Sequence, residues 1–344
     1  GRLSRVLCRR FLPATHESLP AAAAPGQISP SEALEARVAW GALPAKKYAV
    51  LLASDFGSRS PAMHNAAFNA CGLPHAYSVL ELPEALADPT SPAADAFRAF
   101  VRAPNFGGLS VTIPHKEVLR PYLDELTPAA AAIGAVNTVT PTPAVVAPDG
   151  VATLAKSPPV LTGDNTDWIG IVRCVEAALR RGGRSLEAKH LKAVVVGSGG
   201  TARAACYALT AGWAERHGEG FELLVHARDA AKATALAEAF GGAYAAALDD
   251  VDAAVVVSTV PGAANFTAPA AFMARKPAVL DAAYKPAETA LLLQARAAGC
   301  GVAQGASMLV AQGVAQFQQW TGRVAPVPAM RAAVFEGVAE LEGA

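Results

Sequence analysis

The chain has 344 residues, more than twice the ~150 of a typical domain, which excludes one small domain and predicts two folded units with a fragment of a third. Hydrophobic residues make up 52% and charged residues 17%, a globular composition that excludes a disordered chain. The 29 Lys and Arg balance 29 Asp and Glu, so no net field gathers phosphate backbone or anionic lipid, and neither nucleic acid nor a membrane is an expected partner.

The first 45 residues carry Arg2, Arg5, Arg9 and Arg10, then an Ala/Pro stretch, then a helix from about Ser31, which reads as the tail of a domain plus a linker. The chain starts without methionine or an apolar signal segment, so its natural N-terminus is expected upstream. A first α/β unit follows, with a strand at Tyr48 to Ala53, a helix at Pro61 to Cys71, and strands at Gly108 to Thr112 and Val136 to Thr140. Five prolines between Thr140 and Leu161, with little periodicity, predict a long mobile hairpin loop.

Residues 188 to 305 alternate short Val-rich runs with Ala- and Leu-rich stretches of helical length. Strands are predicted at Lys192 to Val196, Phe221 to Val225, Ala253 to Ser258 and Ala278 to Leu280, with a helix at Thr201 to Thr210. Right-handed crossovers then make a doubly wound sheet. Two further helices are predicted at Met308 to Trp320 and Pro328 to Leu341, and no internal repeat is visible. Apolar runs such as Ala253 to Val257 stop far short of the roughly 20 residues that cross a bilayer, so a soluble chain is expected. The five cysteines show no Cys-x-x-Cys and no Cys/His cluster, which predicts a reducing compartment and no metal site.

Gly197-Ser198-Gly199-Gly200-Thr201-Ala202 fits the G-x-G-x-x-A dinucleotide fingerprint between a strand and a helix, where glycines admit a pyrophosphate to a row of helix N–H donors. Its alternative is a tight strand-to-helix turn. The next strand ends His226-Ala227-Arg228-Asp229, with Lys232 one turn on; Ala227 cannot accept a ribose hydroxyl and Arg228 can clamp a 2′-phosphate, which favours NADP. Asp229 reads either as a ribose ligand or as a helix N-cap. Ser58-Arg-Ser60-Pro61 is either a neutral cradle for a carboxylate or a helix cap. Lys116 follows a strand end and Gly163-Asp-Asn-Thr-Asp167 forms a turn before a helix; a lysine paired with a carboxylate can hold a proton for an oxygen that changes charge, although each alone reads as a surface charge.

Six motifs occur in order: Ser58-x-Ser60-Pro-x-x-His64-Asn65, Val111-Thr112-Ile-Pro-His-Lys116-Glu117, Gly134-Ala-Val-Asn137-Thr, Gly163-Asp-Asn-Thr-Asp167, Gly197-x-Gly-Gly and Met308-Leu-Val-x-Gln312. Together they resemble shikimate dehydrogenase from residue 47 to about 340. The resemblance implies two α/β domains around a cleft and reversible reduction of 3-dehydroshikimate to shikimate by NADPH. It implies that Lys116 and Asp167 form the catalytic pair, that Ser58 and Ser60 hold the substrate carboxylate, and that Thr112, Asn137, Tyr284 and Gln312 contact the carboxylate or ring hydroxyls. It further implies that Gly197, Ser198, Gly199, Gly200 and Thr201 cradle the pyrophosphate, that Ala227, Arg228 and Lys232 border the 2′-phosphate, and that Gly305 lies near the nicotinamide. Lys116 suits a carbonyl oxygen that becomes an alkoxide.

Ser110, Gly57 and Ala227 depart from the commonest family pattern, which leaves the finer substrate contacts and the strength of NADP preference open. Ser258-Thr-Val-Pro-Gly262, Leu280-Asp-Ala-Ala-Tyr284-Lys-Pro286 and the run Leu309 to Phe317 resemble the last domain of the pentafunctional AROM polypeptide more than stand-alone enzymes. Leu3-Ser-Arg5-Val-Leu and Ala24-Pro-Gly-Gln27-Ile resemble the end of a type I 3-dehydroquinate dehydratase, whose Schiff-base lysine and histidine would lie upstream, so no dehydratase activity is expected of this chain; Ala23 replaces a serine often found there. The implied division is a dehydratase remnant and linker at 1–45, a shikimate-binding domain at 46–167 plus 306–344, and a Rossmann-type NADP domain at 168–305. A cytoplasmic protein joined upstream to other shikimate-pathway domains is implied, with a plastid left open. Quinate dehydrogenase, and a non-enzymatic quinate-pathway sensor, are the alternatives.

Overall fold

The computed structural model describes residues 27–29, 32–33, 36, 39–40, 45–54, 57–83, 86–142, 159–186 and 190–336. Arg5, Ala23, most of the hairpin loop and the end of the last predicted helix lie outside the described residues. Near the start, the Ser29 N–H donates to Glu32 Oε2 at 2.8 Å and the Glu32 N–H to Ser29 Oγ at 3.1 Å, a capping box that opens the helix expected from about Ser31.

The first sheet is built from β1 (Lys47–Leu52), helix α1 (Ser60–Ala70), β2 (Ala76–Glu81), α2 (Pro92–Val101), β3 (Phe106–Val111), β4 (Glu125–Leu126), α3 (Pro128–Ile133), β5 (Thr138–Thr142) and β6 (Val160–Asp164). Its strand order is β2-β1-β3-β5-β6-β4, with β1 parallel to β2 and β3, and with β5 antiparallel to β3 and β6. Alternation along β1 splits the core in two. Tyr48, Val50 and Leu52 face Phe68, Phe317 and Trp320, whereas Ala49 and Leu51 face Phe97, Leu109 and Leu119. The Gly163-to-Asp167 motif is not all turn, because Gly163 and Asp164 pair with Val139 and Thr138.

Helix α4 (Asp167–Arg181) carries the chain to the second sheet. There follow β7 (Lys192–Val196), α5 (Gly200–Tyr207), a π turn at Ala208–Gly212, α6 (Trp213–His217), β8 (Glu222–His226), α7 (Ala230–Ala239), β9 (Ala243–Tyr244), β10 (Val255–Ser258), α8 (Ala270–Ala274), β11 (Ala278–Asp281), α9 (Ala290–Ala297) and β12 (Val302–Gln304). All these strands are parallel, in the order β12-β11-β10-β7-β8-β9. That is the doubly wound order, and its switch point lies between β7 and β10, where a ligand crevice opens outside the strand ends. Val195, Val225 and Val257 meet α4 and α5 on one face, while Val194, Val256 and Val279 meet α8 and α9 on the other. Helix α10 (Gly305–Thr321) then returns the chain to the first sheet, and α11 (Val327–Phe335) packs against α1.

The two helices that join the sheets cross at Gly170. A Cβ there would stand 3.0 Å from the Met308 carbonyl oxygen and 3.2 Å from the Gln312 nitrogen, so a side chain at this position would press on α10 and glycine lets α4 lie directly on it. Gly170→Val should therefore lower the unfolding free energy by about 1–3 kcal/mol, read from the urea midpoint.

His64 of α1 is fully buried between Tyr77, at 4.6 Å between ring centroids, and Trp320. Burial pushes its pKa down to about 3, against a smaller upward effect of the Gln316 side chain. Between that value and an unfolded pKa of about 6.5 the unfolded chain binds a proton that the folded chain refuses. The contribution is thus complete above the unfolded pKa and fades as pH falls, by up to about 1.4 kcal/mol per pH unit. His64→Gln should flatten the pH dependence of the urea midpoint across that window relative to the parental protein.

Candidate active site

Strand ends from both sheets converge on one cleft of about 670 Å³. From the first sheet come the segments after β1 and β3, and Asn137 just before β5, whose start lies at the same edge because β5 runs antiparallel to β3. From the second come Thr259 after β10, Ala282 to Lys285 after β11, and Gly305 after β12. Helix α10 supplies Met308, Gln312 and Gln316 along one side.

Lys116 sits in a 3-10 turn (His115–Glu117) four residues beyond Thr112, and Asp167 is the first residue of α4. Their side chains, only 11% and 7% exposed, form an ion pair with Nζ to Oδ2 at 2.6 Å. The N-terminal end of α4 favours a negative charge at that position. Asn137 Nδ2 donates to the other carboxylate oxygen at 2.8 Å, and Lys116 Nζ also reaches Thr201 Oγ1 at 3.3 Å. The Asp167 N–H donates to Asn165 Oδ1 at 3.0 Å, which fixes the turn that presents the carboxylate. The two residues that read singly as surface charges are therefore a buried, directed pair.

Ser58, Ser60, Thr112, Tyr284 and Gln312 line the same cleft, as does Gly305. Neither serine is the N-cap of α1: the cap position is Arg59, without a side-chain hydrogen bond, and Ser60 is the first helical residue. The Ser60 N–H donates instead to Ser58 Oγ at 3.3 Å, a local turn that leaves the helix start without a capping side chain. Lys285 Nζ donates to the Gly57 carbonyl oxygen, tying the loop after β11 to the serine turn.

The glycine turn stands at the switch point. Gly197 has a φ of +120° and lies against Thr259, and a Cβ on Gly199 would meet nothing within 4 Å, which leaves open space before α5. Gly199 is the N-cap of α5 and contributes no capping side chain, so the first N–H groups of the helix are available to an anion. A Cβ on Gly200 would lie 3.3 Å from Lys116 Cβ, which sets the turn directly beside the ion pair. Gly197, Ser198, Gly199, Gly200, Ala227, Arg228 and Lys232 do not line the cleft itself, which Thr201 reaches. Asp229 is the N-cap of α7, accepting from the Lys232 N–H at 3.0 Å, and its carboxylate is thereby engaged. Arg228 is exposed and has no hydrogen-bond or ionic partner among the described residues. These features fit a dinucleotide with a phosphate at its ribose end.

Sequence reasoning missed two participants, Gln316 and Lys285, and one role of a third. Thr201, assigned there to the pyrophosphate, also touches Lys116. Gln316 lies one turn beyond Gln312 on the same helix face, a spacing that could have exposed it. Lys285 gave no signal, because its contact crosses 228 positions of sequence. Among the described residues no group of three His, Cys, Asp or Glu is placed to hold a metal, and no helix is long and apolar enough to cross a membrane.

The comparisons agree in kind. Residues 56–139 match the shikimate dehydrogenase substrate binding domain, residues 305–335 the shikimate 5′-dehydrogenase C-terminal domain, and residues 1–42 type I 3-dehydroquinase. The structure resembles dehydroquinate dehydratase and shikimate dehydrogenase from S. pombe AroM, with a TM-score of 0.70 and 31% identity over 97% of this chain. The chain spans 61% of that longer S. pombe chain. Shikimate 5-dehydrogenase from Thermus thermophilus, solved with NADP(H) and shikimate, matches at a TM-score of 0.66 and 30% identity, covering 85% of this chain and 100% of that one. Quinate dehydrogenase from Corynebacterium glutamicum, solved with NAD, matches at 0.66 and 30%, covering 85% and 99%. By identity and coverage together, the chain belongs to the shikimate dehydrogenase family.

Proposed function

We propose that this chain reversibly reduces 3-dehydroshikimate to shikimate with NADPH. The observation that carries the reading is the buried Lys116–Asp167 pair beside a glycine turn, within a cleft whose mainly apolar walls carry the hydroxyl and amide side chains of Ser58, Ser60, Thr112, Asn137, Tyr284 and Gln312. The hydroxyls of the serine turn suit a carboxylate, since neutral donors hold an anion without a compensating cation. Thr112, Asn137, Tyr284 and Gln312 offer donors and acceptors for ring hydroxyls. Gly197 to Thr201 would hold the pyrophosphate, Ala227, Arg228 and Lys232 the 2′-phosphate, and Gly305 would border the nicotinamide. NADPH, when bound, supplies the hydride.

Lys116 then has a defined task. Its Nζ hydrogen-bonds the substrate oxygen, stabilises the negative charge that develops there, and delivers the proton that makes the hydroxyl. Asp167 and Thr201 hold the ammonium at that point, and Asp167 accepts throughout. The reverse reaction returns the proton to Nζ.

The folding units support a division in which residues 46–167 with 306–344 bind the substrate and residues 168–305 bind NADP. We also read residues 1–42 as the end of a dehydratase domain, so that the parent protein carries other steps of the pathway upstream, and assign it to the cytoplasm or a plastid. Quinate is the second candidate substrate, favoured by the likeness to quinate dehydrogenase.

Near-ultraviolet absorbance of the reduced nicotinamide, followed with shikimate or quinate and with NADP or NAD, separates these readings. Formation of NADPH with shikimate is expected; equal or faster turnover of quinate would transfer the assignment, and no turnover by the folded chain would favour the sensor. Lys116→Ala should lower kcat by roughly 10²- to 10⁴-fold while leaving NADPH affinity, measured by fluorescence titration, unchanged. Arg228→Ala should raise KM for NADPH by about tenfold with little effect on KM for shikimate, and equal effects on both would remove Arg228 from the cofactor site.

A further inference from the structure

The hydrogen bonds that fix Asp167 continue beyond the cleft wall. We propose that Gln316 and Thr138 are positioning residues for the Lys116–Asp167 pair, because they link Tyr77 to Asp167 through a one-way chain of hydrogen bonds that aims donors at the carboxylate. The proposal rests on the dehydrogenase reading for its kinetic consequence, and on the geometry alone for the chain itself.

Two backbone groups set the direction of the chain. The Thr166 N–H donates to Asn137 Oδ1 at 2.7 Å, and since a backbone N–H can only donate, Nδ2 must be the atom turned to Asp167. The Asn137 carbonyl oxygen lies 3.2 Å from the Gln316 amide and can only accept, so Nε2 faces it and Oε1 faces away. Gln316 Nε2 also donates to Thr138 Oγ1 at 2.9 Å, which leaves the single Thr138 hydroxyl hydrogen to go to Asn137 Oδ1 at 2.7 Å. On the other side Gln316 Oε1 accepts from Ser110 Oγ at 2.8 Å, and Ser110 in turn accepts from the Tyr77 hydroxyl at 2.6 Å. Every donor thus points toward Asp167.

Burial gives the chain its force. Thr138 is 0%, Gln316 1% and Asn137 2% exposed, so water cannot replace a lost partner, and a broken link leaves an unsatisfied group next to the pair. Burial also pushes the Tyr77 phenol up, which keeps it a donor at the head of the chain. A turned Asn137 amide would set its Oδ1 against the Asp167 carboxylate and shift the ammonium. Ser110 both accepts from Tyr77 and donates to Gln316, and so serves as a link and not as a chain end.

Thr138→Val removes the hydroxyl at constant shape, Thr138→Ser restores it, and Gln316→Met removes both amide hydrogens at constant length. We expect Thr138→Val and Gln316→Met each to lower kcat by about tenfold with KM for NADPH unchanged, and Thr138→Ser to recover it. In nitrogen-edited spectra of the ligand-free protein, the Asn137 side-chain amide should shift in the first two variants and return in the third. Parental kcat with an unmoved Asn137 amide in either folded variant would overturn the proposal. An inactive parental protein would overturn the dehydrogenase reading instead, and the amide resonances would still decide the positioning role.

Discussion

The close crossing of α4 and α10 at Gly170 is the constraint on which the site depends. One helix takes the chain from the first sheet to the second, and the other brings it back. With no Cβ at the crossing the helices lie in close contact, and the Asp167 end of α4 and the Gln312–Gln316 face of α10 lie together at the cleft. Neither sheet alone completes the constellation. The first contributes Lys116 and Asn137, the second contributes Thr201 and the glycine turn, and the crossing fixes the distance between the two sets. A rigid core is well suited to this, since close-packed interiors transmit displacement and do not absorb it.

The ion pair at that junction is a poor stabilising device. Removing two charges from water costs several kcal/mol per ion, and the attraction between them offsets that only when further hydrogen bonds satisfy the remaining sites. Here those bonds are present: Asn137 donates to the second carboxylate oxygen, and Thr201 engages the ammonium. The geometry is costly to assemble and specific in direction, which suits a proton donor held for one oxygen. The neighbouring cluster of Glu176 with Arg216 at 2.9 Å and His217 at 3.0 Å makes the contrast. Glu176 is as buried as Asp167, but its Arg216 partner is half exposed.

Much of this organisation is legible in the sequence, for reasons that differ by element. The strands of the second sheet read clearly because a parallel sheet buried on both faces demands continuous Val-rich runs, and the glycine turn reads because its backbone needs leave a spaced signature. Strand β2, Ala-Tyr-Ser-Val-Leu-Glu at a sheet edge, and β6, which contains Gly163 and Asp164, carry no such pattern and escape it. The turn chemistry of Ser58 and Ser60 is equally hidden, since an N-cap and a local Ser turn have one sequence signal. What joins Gln316 to Asp167 is more remote still: its links come from β2, β3, β5 and two helices, and only tertiary packing brings them within hydrogen-bond reach.

Electrostatics supplies the last step. With 29 cationic and 29 acidic residues, the protein offers no net field to an anionic substrate or an anionic cofactor. Attraction must come from local sources, and an anion carried from water into such a site needs donors already in place. The uncapped start of α5 provides them, its N–H groups already oriented by the fold at no cost of reorientation, while at the start of α1 the Ser58 and Ser60 hydroxyls stand in the cleft wall. At the end of β8 the same logic selects between cofactors. Asp229 caps α7 through Oδ1 and faces Lys232 Nζ at 3.7 Å through Oδ2, and the guanidinium of Arg228 next to it is exposed. A dinucleotide bearing a phosphate at that ribose gains a guanidinium partner there, whereas one bearing only hydroxyls does not.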